Sequence, residues 1–267
     1  MATSAAAFED REVSIGRIFS RAFGTIGSNP VATFGIAFLL QALPALLINY
    51  GSQQLRVANI GKIGWTLPIV IGLATLALII VFWTVTQGAL VRATVAFSEG
   101  RKASFAESIT AGLAVTIPLF LLGVLSGLGI GLGMILLLVP GIILYIMWSV
   151  AAPALVEERI GVFEAFGRSN DLTDGARWKI FGLELIAFVG YWIFSGVVGV
   201  IQVTIFGGLR GAAAATVQGF PLSYFVITAI ATTVTTAVWG VIQTSLYVEL
   251  RNWKDGPATD ALADVFG

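Results

Sequence analysis

The chain has 267 residues, of which 57% are hydrophobic and 11% are charged, and its 15 basic and 15 acidic side chains sum to a net charge of zero. This composition excludes a soluble globular protein of that length, because it provides too few polar side chains to cover the surface. The chain contains no histidine and no cysteine. We therefore expect no catalytic residue, no cofactor and no metal site of the common imidazole or thiolate kinds.

Long stretches without charged residues predict six membrane-spanning helices. The longest stretch, 108–156, would form a straight helix of about 70 Å, more than twice the ~30 Å hydrocarbon core of a bilayer, so it must fold back into two spans. The predicted fold class is therefore an all-α integral membrane protein. We place its spans near residues 30–49, 67–90, 109–128, 134–154, 179–206 and 222–248.

The positions of the basic residues predict the orientation. Twelve of the 15 lie in segments on one side of the predicted spans, and only Arg56, Lys62 and Arg210 lie on the other. The excess of positive charge on cytoplasmic segments assigns the basic side to the cytoplasm. We expect a protein of the bacterial cytoplasmic (inner) membrane with both termini cytoplasmic.

Three regions follow from this topology: a cytoplasmic segment at 1–29, a six-helix transmembrane domain at 30–248 and a cytoplasmic tail at 249–267. The first segment carries acidic residues and no early apolar core, so it does not resemble a cleaved signal peptide.

Residues 15–26 have the pattern of a basic amphipathic helix. Arg17 and Arg21 lie on the polar face, while Phe19 and Phe23 belong to the apolar stripe. Such a helix lies in the plane of the headgroups, with its arginines near anionic lipid, and these four residues are our candidates for a lipid interface. The alternative is that the apolar stripe packs onto the protein's own bundle.

Similar short helices are expected after the second and fourth spans and in the tail. Ser104 and Glu107 have the spacing of a capping box, and Val162 and Phe166 mark the second segment. In the tail, Pro257 stands at a plausible first helical position.

An internal repeat ends each even-numbered span. Trp83, Trp148 and Trp239 each begin the pattern W-x-V-x-x-x-(A/S)-L-(V/Y), followed by charged residues and a glycine. The repeat predicts three helical hairpins related by an axis along the membrane normal, with the three tryptophans at similar depth.

Polar residues within the predicted spans are few. Glu184 is the ionisable side chain that lies well inside a span, where a carboxylate either serves a coupling or gating function or extends back to the interface. Gln87 and Gln243 occupy equivalent positions of the repeat, and hydrogen bonds between helices are their simplest role. Glu157 and Glu158 are adjacent, which is typical of a solvated helix end rather than of a catalytic pair.

Glycine and proline suggest close packing and bends. Gly123, Gly127 and Gly131 recur every four residues and predict a smooth strip for helix approach. The glycines at 127–133 could instead form the turn between spans 3 and 4, and they lack the Lys-Ser/Thr of a phosphate-binding loop. The prolines at 44, 118, 140 and 153 are expected to kink helices.

A resemblance covers nearly the whole chain. The run PGIILYIMWSVAAPALVEERIGVFEAFGRSNDLTDGARWKIFGLELI (140–186), the opening VSIGRIFSRAFGTI (13–26) and the close LYVELRNWKDGPATDALADVF (246–266) resemble bacterial membrane proteins related to the membrane domain of glycerophosphoryl diester phosphodiesterases, including the YciC-like family. In the phosphodiesterase members of this group, a soluble catalytic domain is joined to the membrane part. No such domain is present in this sequence, so the resemblance implies a membrane module without diesterase activity.

Together these features predict a non-enzymatic membrane protein with a structural, lipid-interacting or accessory role. Expected partners are anionic membrane lipids and a membrane protein or second copy of the chain, and no nucleic acid. The main alternative is a transporter or channel for a small or amphiphilic solute, and a membrane-embedded lipid enzyme is a third. A transporter should have a water-accessible cavity lined by Glu184, Gln87 or Gln243, whereas a structural module should seal them in helix contacts.

Overall fold

The computed structural model describes residues 12–58 and 66–256, and the regular structure in these ranges is entirely helical. In chain order the elements are α1 (Ile15–Ser28), α2 (Pro30–Ala37), a π-helical turn (Phe38–Ala42), α3 (Leu43–Ala58), α4 (Thr66–Ser98), α5 (Phe105–Ala114), α6 (Thr116–Leu136), α7 (Leu138–Met147), α8 (Ala151–Glu158), α9 (Val162–Thr173), α10 (Arg177–Ile205), α11 (Leu209–Gln218) and α12 (Leu222–Asp255). The predicted tail helix after Pro257 lies outside the described residues.

Six helical segments are long and apolar enough to cross a membrane, which confirms the prediction of an all-α multi-pass membrane protein. They are Pro30–Leu55, Ile69–Ser98, Thr116–Leu136, Leu138–Glu158, Arg177–Ile205 and Leu222–Asp255. The third begins at Thr116 instead of 109. The reason is local, because Ser104 Oγ accepts a hydrogen bond from Glu107 N–H at 3.1 Å and so starts α5 as a separate helix that ends before the span.

The prolines mark helix starts more than bends. Pro118, Pro140 and Pro153 are each the third residue of their helix, where the missing N–H would have no acceptor within the helix. The backbone before each start is not helical, as at Leu137, with φ −158° and ψ 135°. Pro44 is the second residue of α3, which begins directly after the π-helical turn. The predicted kinks are therefore junctions between consecutive helices.

The glycines of the third span lie within one continuous helix, so the prediction of a turn at 127–133 is wrong. The close approach to α7 uses Gly129 and Gly133, since a Cβ atom at Gly133 would lie 3.0 Å from the backbone of Gly141. Gly127 and Gly131 have no neighbouring atom within 4 Å of such a Cβ. The glycines that contact α7 are thus offset by two residues from the predicted ones. Glycine spacing predicts that one side of the helix is smooth, but it does not determine which side faces the neighbouring helix.

The main core lies where α4, α8 and α12 pack against one another. These helices carry the three copies of the tryptophan motif. The valine, the small residue and the leucine of every copy are buried: Val85, Ala89, Leu90, Val150, Ala154, Leu155, Val241, Ser245 and Leu246. The shared motif therefore corresponds to a shared pattern of burial.

One end of this core is held by ion pairs, and we call it the charged end, defined by Glu157, Glu158 and Glu249. Glu157 pairs with Arg92 at 3.5 Å, and Glu158 pairs with Arg168 at 2.9 Å. The side chains of the two adjacent glutamates are only 10% and 23% exposed. The pair does lie at a helix end, since α8 ends at Glu158, but it is not solvated as predicted, because α4 and α9 bring an arginine to each carboxylate.

Candidate functional site: an apolar cleft beside a sealed polar cluster

Helix α1 crosses the bundle from α10 to α4. Its first residue, Ile15, follows the capping residue Ser14, whose Oγ accepts a hydrogen bond from Arg17 N–H at 3.4 Å. Near its start Ile15 lies beside Gly182 of α10, and near its end Gly24 lies beside Phe97 of α4. Its inner face, with Ile18 and Ala22 each 1% exposed, packs into the main core. The helix is therefore packed against the bundle.

Arg17 and Arg21 both contact Glu249 of α12. Arg17 Nε lies 2.8 Å from Glu249 Oε1, and Arg21 Nη2 lies 3.4 Å from Oε2. Ser14 N–H also donates to Glu249 Oε1, at 3.2 Å. The Glu249 side chain is 5% exposed, whereas those of Arg17 and Arg21 are 42% and 20% exposed. Two guanidinium groups facing one carboxylate leave this triad with a formal excess of one positive charge.

Phe19 and Phe23 line a cleft of about 710 Å³ between α1, α4, α10 and α12. The other lining residues are mostly aromatic or aliphatic: Trp83, Gln87, Ile186, Ala187, Phe188, Gly190, Tyr191, Trp192, Phe194, Val234, Thr235, Thr236, Val238, Trp239 and Ile242. Three of its four lining helices, α4, α10 and α12, are among the segments long and apolar enough to cross a membrane. Its mouth is exposed, as shown by Trp192 at 59% and Phe23 at 59%.

Gln87 is the carboxamide residue in the lining of this cleft. Its side chain makes no hydrogen bond to any residue in the described ranges. Thr235, also in the lining, donates its hydroxyl hydrogen to Ala231 O of its own helix at 3.0 Å. The Gln87 amide therefore presents unused donors and an acceptor to a mostly apolar space.

Glu184 belongs to a different neighbourhood, sealed between α7, α10 and α12. It is 7% exposed. Tyr145 Oη donates to its Oε2 at 3.0 Å, and Gln243 Nε2 donates to its Oε1 at 2.7 Å. We call Tyr145, Glu184 and Gln243 the polar cluster. The carboxylate is directed inward, which rules out the alternative in which it extends to the interface.

No basic group within the described residues forms an ion pair with Glu184. Arg177, seven residues earlier on the same helix, instead contacts Asp174 at 3.7 Å and Asn170 Oδ1 at 2.8 Å. Gln243 Oε1 is buried without a hydrogen-bond partner. The polar cluster thus joins three helices through neutral donors alone.

Ion pairs at the ends of the spans connect them to neighbouring short segments. Arg92 and Arg101 each approach Glu107 Oε1 at 3.1 Å, which ties α5 to the end of α4. The hydrogen bond from Arg101 holds the pKa of Glu107 below its ordinary value. A hydrogen bond from Lys179 likewise lowers the pKa of Glu12. Both carboxylates therefore stay charged at neutral pH.

Two residues of this region were missing from the sequence-based candidates. Tyr145 follows no pattern that sets it apart from other aromatic residues in apolar spans. Glu249 did have a signal, because it follows Trp239 by ten residues as Glu158 follows Trp148, and both carboxylates accept arginine from a short helix. The first copy has Ala93 at this position, so the signal is present in two of the three copies.

Among residues 12–58 and 66–256, no group of three acidic side chains is placed to hold a metal ion. The two neighbourhoods are an open apolar cleft with one unpaired amide and a closed carboxylate cluster. No family model matches the sequence, and no solved structure matches the fold.

Proposed function

We propose that this chain is a non-enzymatic protein of the bacterial cytoplasmic membrane, with a structural or accessory role, that holds an acyl chain of a membrane lipid in the cleft. The observation that carries this proposal is the aromatic cleft itself, which lies between helices long and apolar enough to span a membrane and has exposed aromatic residues at its mouth. Its volume of about 710 Å³ falls in the range of small-molecule sites, roughly 300–1,000 Å³.

The lining favours an acyl chain over a water-soluble solute. Rigid aromatic side chains such as Trp83 and Trp239 offer a large contact area at low cost in side-chain entropy. A polar solute would leave its own donors and acceptors unsatisfied against these walls, which is costly in an apolar environment.

The topology completes the proposal. We place the charged end at the cytoplasmic face, because the arginines of α1, α4 and α9 meet there and cytoplasmic segments carry the excess of basic residues. The close packing of α6 on α7 supports the hairpin formed by spans 3 and 4. Helices α1, α5 and α9 would then lie at the headgroup level as interfacial helices. We also propose that the chain is related to the membrane domains of the YciC-like group, on the sequence resemblance described above.

Filling the cleft tests the function. Gly190 lines the cleft, and a Cβ atom there would meet no atom within 4 Å, so Gly190→Phe introduces a ring without disturbing the backbone. Purified protein is titrated with a diacyl phosphatidylglycerol in detergent, and bound lipid is counted by native mass spectrometry. We expect the wild type to retain lipid and Gly190→Phe to lose it.

The matched control is Gly196→Phe, on the same helix, with equally open space and outside the cleft lining. It should retain lipid like the wild type. Equal retention by the two glycine variants would contradict binding in the cleft.

One observation favours transport of an amphiphilic solute as a second candidate, namely that Gln87 lines the cleft. Transport would also require the polar cluster to open to water. Since the chain has no cysteine, single variants can be tested with a membrane-impermeant thiol reagent. Labelling of Gln243→Cys would support a transporter, whereas labelling of Gln87→Cys with Gln243→Cys protected would support the lipid site.

A further inference from the structure

We infer that Gln87 is a specificity-determining residue for the lipid, donating a hydrogen bond to an ester carbonyl at the head of the acyl chain. The inference rests on the proposed function and deepens it. It names the ligand class as an ester-linked glycerophospholipid, because the cleft accommodates an apolar chain and the amide requires an acceptor.

The first argument is the unsatisfied amide. Gln87 has two N–H donors and one carbonyl acceptor, and none is bonded to a described residue. A polar group left unpaired in an apolar environment costs free energy, so natural sites rarely keep one without a partner. At the equivalent position of the repeat, the Gln243 amide donates to Glu184 at 2.7 Å. At Gln87 the partner has to come from outside the described chain.

The second argument is depth. Gln87 lies five residues before Arg92 on α4, which is about 7.5 Å along the helix axis. Arg92 pairs with Glu107 and Glu157 at the charged end. The headgroup zone adds about 5–7 Å to each side of the hydrocarbon core. With the charged end at the headgroups, Gln87 lies at the inner boundary of that zone, where the ester groups of a glycerolipid connect the headgroup to the chains.

The third argument is the continuity of the surface. Gln87 and Trp83 are one helical turn apart on α4 and line the same cleft, so a carbonyl bonded to Gln87 directs its chain along Trp83 toward Phe194 and Val234. An ester carbonyl is an acceptor only, and it can accept a hydrogen bond from one of the two N–H donors of the amide. A hydrocarbon without a carbonyl would leave these donors unpaired.

A pair of lipids that differ only in the carbonyl tests the inference. Diacyl and dialkyl-ether phosphatidylglycerol of equal chain length are titrated against the full chain in detergent, and their affinities are compared by native mass spectrometry. We expect the wild type to bind the diacyl lipid about two- to tenfold more tightly, the value of one hydrogen bond. Gln87→Leu should reduce this ratio to about one.

Gln202→Leu is the matched control, because it also removes an intramembrane amide, one that donates to Thr228 at 3.0 Å outside the cleft. It should keep the wild-type ratio. A wild-type ratio of one, or a ratio that persists in Gln87→Leu, would overturn the inference while leaving lipid binding in place. Binding of neither lipid by the wild type would instead refute the proposed function.

A second measurement needs no variant. If the carbonyl of the bound lipid accepts a hydrogen bond from Gln87, the infrared stretch of a ¹³C-labelled ester should move to lower frequency in the complex than in detergent alone. An unchanged band in a complex that retains lipid would also overturn the inference.

Discussion

Gln87 and Gln243 stand four residues after a motif tryptophan in α4 and α12, yet their surroundings differ completely. Gln243 lies against Glu184 and donates to it at 2.7 Å, whereas Gln87 is directed into the apolar cleft with no partner in the described chain. The motif sets which positions of each helix are buried. The neighbouring helices that contact the other positions decide whether a polar side chain joins a hydrogen-bond network, as Gln243 does, or lines a binding surface, as Gln87 does.

The largest expected effect comes from removing the centre of the polar cluster. Glu184→Ala leaves the Tyr145 hydroxyl and the Gln243 amide as buried donors without an acceptor. We expect a loss of about 2–4 kcal/mol in the free energy of unfolding, measured by denaturant titration in detergent. Asp171→Ala, at an exposed position on α9, should stay within about 0.5 kcal/mol of the wild type. A similar small change for Glu184→Ala would show that the cluster is not sealed.

The two glutamines give the most direct comparison. Gln243→Ala removes a donor from Glu184 and should cost about 1–3 kcal/mol. Gln87→Ala removes no hydrogen bond and should change stability by less than about 0.5 kcal/mol in lipid-free detergent. The same titration measures both variants. Equal losses would remove the distinction between the two sites.

A smaller effect is expected from a single hydroxyl. Tyr145→Phe removes the hydrogen bond to Glu184 Oε2 without changing the ring, and should cost about 1 kcal/mol. Tyr191→Phe, in the cleft and 46% exposed, is the matched control and should be neutral. Thermal unfolding followed by tryptophan fluorescence would detect the difference. A neutral Tyr145→Phe would mean that Gln243 alone holds the carboxylate.

The smallest effect is expected at Glu107, a carboxylate that, unlike Glu184, has arginine partners. The pKa of Glu107 is lowered from its ordinary value of 4.5 by Arg101. Its ion pair therefore stabilises the fold above that ordinary value and is lost as pH falls through the lowered pKa. The stability difference between the wild type and Glu107→Gln should stay constant from pH 8 to 5 and shrink only in more acidic solution. A difference that already disappears between pH 8 and 5 would contradict this.

The spans and the short helix α5 could be predicted from sequence, because uncharged runs and a capping serine are local signals. The partners could not. Arg17 forms an ion pair with Glu249, which is 232 residues away in sequence. The local sequence around either residue contains no signal for this pairing. The direction of Glu184 also depended on Tyr145 and Gln243, which arrive on two other helices. The glycine strip of α6 had the right spacing and the wrong phase for the same reason, since the facing helix selects the stripe.

The contact between α1 and Glu249 has a consequence for the order of biosynthesis. Arg17 emerges 232 residues before its partner, and at roughly 5–20 residues per second this interval is on the order of 10–50 s. During that time Arg17 and Arg21 do not yet have the α12 carboxylate as a partner. Helix α1 can therefore pack against α4 and α10 before α12 exists, but its ion pairs with Glu249 form only after the sixth span has been synthesised, so these pairs mark a complete bundle.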